Sequence, residues 1–144
     1  MPRDAQRQRV YDWEDRVIAP RDPSRITFSA AQGIVNAIWA DAGLRYPPKV
    51  ALLPVSARCR LADADRLTIR LPASTPSWCL FHELAHALTT DHDGLSDGHG
   101  AAFMGIYVDL LARYLRLDAR GLTRDLAAAG IRINPDAVPV FARG

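Results

Sequence analysis

Between Thr75 and Thr89 the chain carries a single charged side chain, Glu83, in a run otherwise made of apolar and small residues and two histidines. Thr75 suits an N-cap and Pro76 the first helical position, so the run predicts a helix through Trp78, Leu80, Phe81, Leu84 and Leu88 to about Thr89. A helix that is apolar almost all round belongs inside a core, and the few polar groups it takes there need a chemical reason. The rest of the chain must fold around it.

Those polar groups are His82, Glu83 and His86, which spell HELAH, an H-E-x-x-H pattern. On a helix the two histidines lie one turn apart and about 40° apart in azimuth, so both imidazoles reach one cation. Zinc suits such a pair: it binds imidazole, accepts three protein ligands and leaves a fourth position for water. Glu83, beside them, is placed to take a proton from that water. With four His and two Glu in the chain, a chance H-E-x-x-H has a probability on the order of 0.002. All four histidines fall between His82 and His99, where scattered surface histidines would not cluster.

A third ligand is required, and His92 and His99 are the candidates. His92 occupies the third-histidine place of the longer pattern H-E-x-x-H-x-x-G-x-x-H, but Thr89 stands where that pattern has glycine, and a β-branched residue resists the sharp exit from the helix. His99 follows 12 intervening residues that include Gly94 and Gly98, enough loop to turn back, and it stands just ahead of the next long helix. The sequence favours His99 over His92, with Asp91, Asp93 and Asp97 as weaker oxygen ligands.

HELAH together with HGAAF, His99 to Phe103, resembles the paired elements of SprT-like zincin metallopeptidases and of short, uncharacterised bacterial metallopeptidase-like proteins. The likeness is specific over about residues 75 to 115. It implies a minimal zincin-like fold, zinc held by His82, His86 and His99, hydrolysis of peptide bonds, and an edge strand that aligns an extended substrate, for which Arg66 to Leu71 is the candidate.

Periodicity supplies the surroundings. Val10, Trp13, Val17 and Ile18 mark an amphipathic helix over residues 4 to 18, ended by Pro20 and Pro23. Ser29 with Gln32 forms a capping-box pattern ahead of a second helix, with Ile34, Val35, Ile38 and Trp39 as its stripe and Gly43 as its stop. Val50, Leu52 and Val55, then Leu67, Ile69 and Leu71 alternating with polar residues, predict strands, with Cys59 to Ala62 pairing to the last through the Asp63-Ala64-Asp65 turn. Helices follow from Gly100 to Arg116 and from Asp118 to Ala129, the latter stopped by Gly130. The expectation is one α+β domain over residues 1 to 144: a small antiparallel sheet, an active-site helix and flanking helices.

Several side chains have a functional and a packing reading. Tyr107 is placed to stabilise an oxyanion or to fill the stripe from Phe103 to Tyr114; Asp109 to orient a ligand imidazole or to sit in solvent; Met104 to underlie the site or to lie inside its helix. Cys79 and Cys59 are core residues in preference to thiolate ligands, since the chain lacks the Glu-Gly-Cys element of peptide deformylases. The loop DHDGLSDG lacks the downstream bidentate Glu of a calcium loop and reads as a solvated turn.

Two cysteines are too few for a disulfide framework, no run is long and apolar enough to span a bilayer, and the first residues lack the apolar core of a secretory signal, so a cytoplasmic chain with no membrane partner is expected. A net charge of +2 is too small to name a polyanionic partner. The six basic against two acidic residues between Arg45 and Arg70 give nucleic acid weak support. The sequence thus predicts a zinc peptidase in which His82, His86 and His99 hold Zn²⁺ and Glu83 activates water on a peptide or protein substrate. The alternatives are a zinc-stabilised interaction module without catalysis and a SprT-like protease acting near DNA.

Overall fold

Helix α3, Ser77–Thr89, lies at the centre of the fold, with every residue from Ser77 to Ala85 buried. The computed structural model describes residues 4–54 and 62–142. Its chain order is α1 (Arg7–Trp13), a π-helical turn (Glu14–Ile18), β1 (Arg25–Thr27), α2 (Phe28–Asp41), β2 (Lys49–Leu52), β3 (Asp63–Ala64), β4 (Thr68–Leu71), β5 (Ser74–Pro76), α3, α4 (Ala101–Tyr114) and α5 (Ala119–Ala128). The architecture is α+β, as the sequence predicts. No helix among the described residues is long and apolar enough to cross a membrane.

The core forms where the apolar stripes meet α3. Val10, Trp13 and Ile18 from the N-terminal helix, Val35 and Trp39 from α2, Ile69 and Leu71 from β4, and Phe103, Tyr107 and Leu111 from α4 are all essentially inaccessible. Burying side chains of this size contributes on the order of 2 kcal/mol each. That burial lets α3 carry buried polar groups without losing its place.

The strands correct the sequence reading in three ways. A two-stranded antiparallel sheet pairs β1 with β5, so Thr75 belongs to a strand opposite Ile26 rather than to a cap, and Pro76 precedes α3. In the second sheet, of order β2-β4-β3, β3 is antiparallel to β4 but β2 runs parallel to it. Parallel neighbours need a connection of about a dozen residues or more, which residues 53–67 supply. The segment Arg66 to Leu71 is therefore not an edge: Thr68–Leu71 is the middle strand, bonded on both sides. The turn between β3 and β4 is held by Asp65, whose carboxylate accepts from the amides of Leu67 and Thr68, both at 2.8 Å. Cys59 to Leu61 and Val55 lie outside the described residues.

The capping box at Ser29 and Gln32 does not form. Gln32 instead spans from α2 to β2, donating from Nε2 to the Pro48 carbonyl at 3.0 Å and accepting from the Val50 amide at 2.7 Å. The amide side chain satisfies strand groups that would otherwise lack partners, a larger need than a helix end already open to solvent.

Candidate metal centre

His82 and His86 stand one turn apart on α3, as the spacing predicts, and His99 comes back to meet them from the residues just ahead of α4. The three Nε2 atoms form an equilateral triangle with edges of 3.2 Å. A tetrahedral zinc–imidazole site sets its nitrogens about 3.3 Å apart, so the triangle already has the size of a ligand set. Among the described residues these three are the group able to hold a cation.

The outer nitrogens fix which lone pairs face inward. His82 Nδ1 lies 2.5 Å from Glu14 Oε2, and His99 Nδ1 lies 2.5 Å from Asp4 Oδ2. A carboxylate only accepts, so each Nδ1 donates, and in the neutral rings each Nε2 is left with a lone pair directed toward its neighbours. Converging lone pairs repel unless a cation lies between them, and carboxylate support of this kind orients a metal-bound imidazole and raises its basicity. Glu14 is itself fixed by a hydrogen bond from the Tyr107 hydroxyl at 2.7 Å.

Electrostatics follow the same division. Burial acts to lower the His82 pKa, but the charge and hydrogen bond of Glu14, with Glu83 and Asp4, raise it overall. Burial first, then the neighbouring His82 and His99, drives His86 well below its ordinary value. His99 is also lowered, burial outweighing the hydrogen bond to Asp4. Burial is again the main cause at Glu83, where it and the charges of Glu14 and Asp63, against the opposing pull of His82, push the carboxyl up to about 7. A carboxyl group in that range exchanges protons near neutrality.

Aromatic rings enclose the triangle. The Phe103 ring lies 5.1, 4.4 and 5.0 Å from the rings of His82, His86 and His99, touching all three, while Tyr11 packs against His82 and His99 at 6.1 and 5.2 Å. The spacing of HGAAF acquires a local cause: His99 stands just ahead of α4 and Phe103 in its first turn, so the imidazole and the ring beneath it come from one short stretch of chain. Gly100 lets Asp97 close over the start of α4, since a Cβ there would meet Asp97 Oδ2 at 2.6 Å, and Asp97 accepts from the Ala102 and Phe103 amides. His82 and His99 are buried, and His86 is the half-buried member through which the centre meets solvent.

The other candidates fall elsewhere. His92 is exposed beside Asp93, Asp91 shapes its own loop by accepting from the Asp93 and Leu95 amides, and Asp97 caps α4. Asp109 is exposed and faces Arg113 at 3.5 Å; Met104 is core. Tyr107 is wholly buried and its hydroxyl is committed to Glu14, which leaves it no oxyanion role. Cys79 is a buried free thiol raised far above its ordinary pKa, chiefly by burial. A cavity of about 430 Å³ between α2, α4 and residues 135–139 contains none of the three histidines.

Sequence reasoning missed Asp4 and Glu14. One signal was available: the chain has only two glutamates, Glu14 and Glu83, and Glu14 sits on the apolar stripe with Val10, Trp13 and Ile18. Compared with family models, curated proteins and solved structures, the chain matches none.

Proposed function

We propose that the chain is a zinc-dependent peptidase that hydrolyses amide bonds in a peptide or protein. The triangle of Nε2 atoms supports the metal part of this reading, because its 3.2 Å edges suit a divalent cation. The likeness of HELAH and HGAAF to SprT-like zincin metallopeptidases supports it.

His82, His86 and His99 would hold the ion, with Glu14 and Asp4 keeping two of the rings in the required tautomer. Zinc in such a site polarises a carbonyl and makes water acidic enough to ionise near neutral pH. Glu83 accepts the proton of the attacking water and returns one to the leaving amine, so no acyl-enzyme is formed.

The test is Glu83→Gln, assayed for metal content and for peptide turnover. The variant is expected to keep its zinc and to lose about 10²- to 10⁴-fold in rate. Undiminished turnover would remove Glu83 from the mechanism. Stoichiometric zinc with no hydrolysis by either form would instead favour a metal-stabilised interaction module.

A further inference from the structure

Asp4 reaches the centre from outside α1, in the turn that precedes it. Its carboxylate makes three contacts with one residue: the His99 amide donates to both oxygens at 3.1 Å, and His99 Nδ1 donates at 2.5 Å. The seat has a definite shape. Gly98, at φ +64°, has no Cβ, and one built there would stand 2.7 Å from Asp4 Oδ2. Any other residue at 98 would both strain the backbone and fill the notch.

The two carboxylates that support the ligands come from one stretch of chain but are anchored differently. Glu14 lies between Trp13 and Ile18 in the core, and hydrophobic burial keeps it in place whether or not an ion is present. Asp4 is held through His99 itself. Nearby, Gln6 donates to the His99 and Arg132 carbonyls and accepts from the Arg132 amide, which brings the turn to the notch without orienting the imidazole.

We propose that Asp4, seated in the notch at Gly98, is a positioning residue that acts as a releasable clamp on the third ligand, so that seating of the N-terminal turn and cation binding are thermodynamically linked. With the clamp closed, His99 presents its Nε2 lone pair to the other two rings. With it open, the His99 ring loses the hydrogen bond that fixes its tautomer, and His82 alone keeps a carboxylate partner. Linkage is reciprocal: the factor by which the ion tightens the seating of Asp4 is the factor by which displacing Asp4 weakens the ion. A partner that draws the turn away would therefore lower metal affinity without touching a ligand.

This inference rests on the reading of the three histidines as a metal centre, and the experiment separates the two. Zinc affinity of the full chain is measured by competition with a chromophoric chelator for wild type, Asp4→Asn and Asp4→Ala, and amide hydrogen exchange over residues 4–11 is followed with and without zinc. Asp4→Ala is expected to bind about 10- to 100-fold more weakly. Asp4→Asn, which still accepts hydrogen bonds but lacks the charge, is expected in between, and it decides the matter if the alanine variant does not fold. Zinc is expected to slow exchange over residues 4–11 in wild type and not in Asp4→Ala. Equal affinities, or exchange in wild type that zinc does not change, would overturn the clamp and leave the centre standing. Failure of wild type to bind zinc would overturn the centre itself.

Discussion

Glu14 Oε2 lies 2.5 Å from His82 Nδ1 across 68 positions of sequence, and the same oxygen accepts the Tyr107 hydroxyl at 2.7 Å. One buried carboxylate thus joins three helical segments: the π-turn after α1, the histidine-bearing helix α3, and α4. Glu14 shares the buried face of Val10, Trp13 and Ile18, where helical spacing places it.

Glu14→Gln keeps the shape and an acceptor oxygen but removes the charge that opposes the burial cost of an imidazole bearing positive charge. Zinc affinity is expected to fall by about 10- to 100-fold. Tyr107→Phe removes only the hydrogen bond to Glu14, at a cost of about 1 kcal/mol in stability, and leaves the charge in place. Chelator competition and urea unfolding on the two variants check the order: the glutamate change weighs on the metal, the tyrosine change on the fold.

Glu83 sets a pH dependence with a definite sign in the metal-free protein. Its carboxyl rises from the ordinary 4.5 to about 7 on folding, mainly through burial, so the folded state holds this proton more tightly than the unfolded chain. The resulting stability is complete below 4.5 and is lost as pH rises through about 7, with a slope of at most about 1.4 kcal/mol per pH unit for one proton. His86, lowered by burial, acts in the opposite direction, losing stability as pH falls below its ordinary value. Comparing metal-free wild type with Glu83→Gln removes the contribution of His86 and leaves that of Glu83 together with its coupling to His82. Relative to the variant, wild type is expected to gain stability in urea titrations from pH 7 down to 4.5; a constant difference would contradict the burial argument.

His99 and His92 are separated by metal stoichiometry. His99→Ala removes one corner of the triangle and is expected to lower zinc affinity by at least about 100-fold, in line with the loss of a direct ligand rather than of its outer support. His92→Ala removes a side chain that is 81% exposed and whose partner, Asp93, is itself 68% exposed, so bound zinc is expected to remain at the wild-type level. Metal analysis of the two purified variants reads the difference directly.

How much of this was legible follows from how local each feature is. Helices α2 and α4 were visible as periodic stripes, α3 as an apolar run, α5 by its glycine stop, and His82, Glu83 and His86 as one pattern on a buried helix. His99 was reachable because loop length and a following helix are sequence-local facts. Asp4 and Glu14 were not, since an acid on a short helix reads as solvent-facing until the element packed against it is known, and their partners lie 95 and 68 positions away. The parallel pairing of β2 with β4 was hidden for a related reason. Leu52 and Leu67 look like core residues in an alternating pattern but are 55% and 72% exposed, so hydrophobicity alone did not set the register. Gln32 formed a cap on paper and a strand bridge in the fold, because the strand needed its amide more.

Phe103 gives a stability test that does not depend on the ion. Its ring is fully buried and contacts all three imidazoles, so it supports the triangle as well as the core. Phe103→Ala is expected to cost about 3 to 5 kcal/mol in the metal-free protein, from lost burial and the cavity left behind. Phe103→Leu, which refills most of the volume, is expected to cost less than about 1.5 kcal/mol. If the ring also holds the imidazoles in position, the leucine variant will still show weaker zinc binding than wild type, since an aliphatic side chain restores neither the stacking on His86 nor the edge contacts with His82 and His99. Paired urea unfolding and chelator competition separate the two roles. Matched losses in stability and affinity across both variants would reduce Phe103 to a core residue.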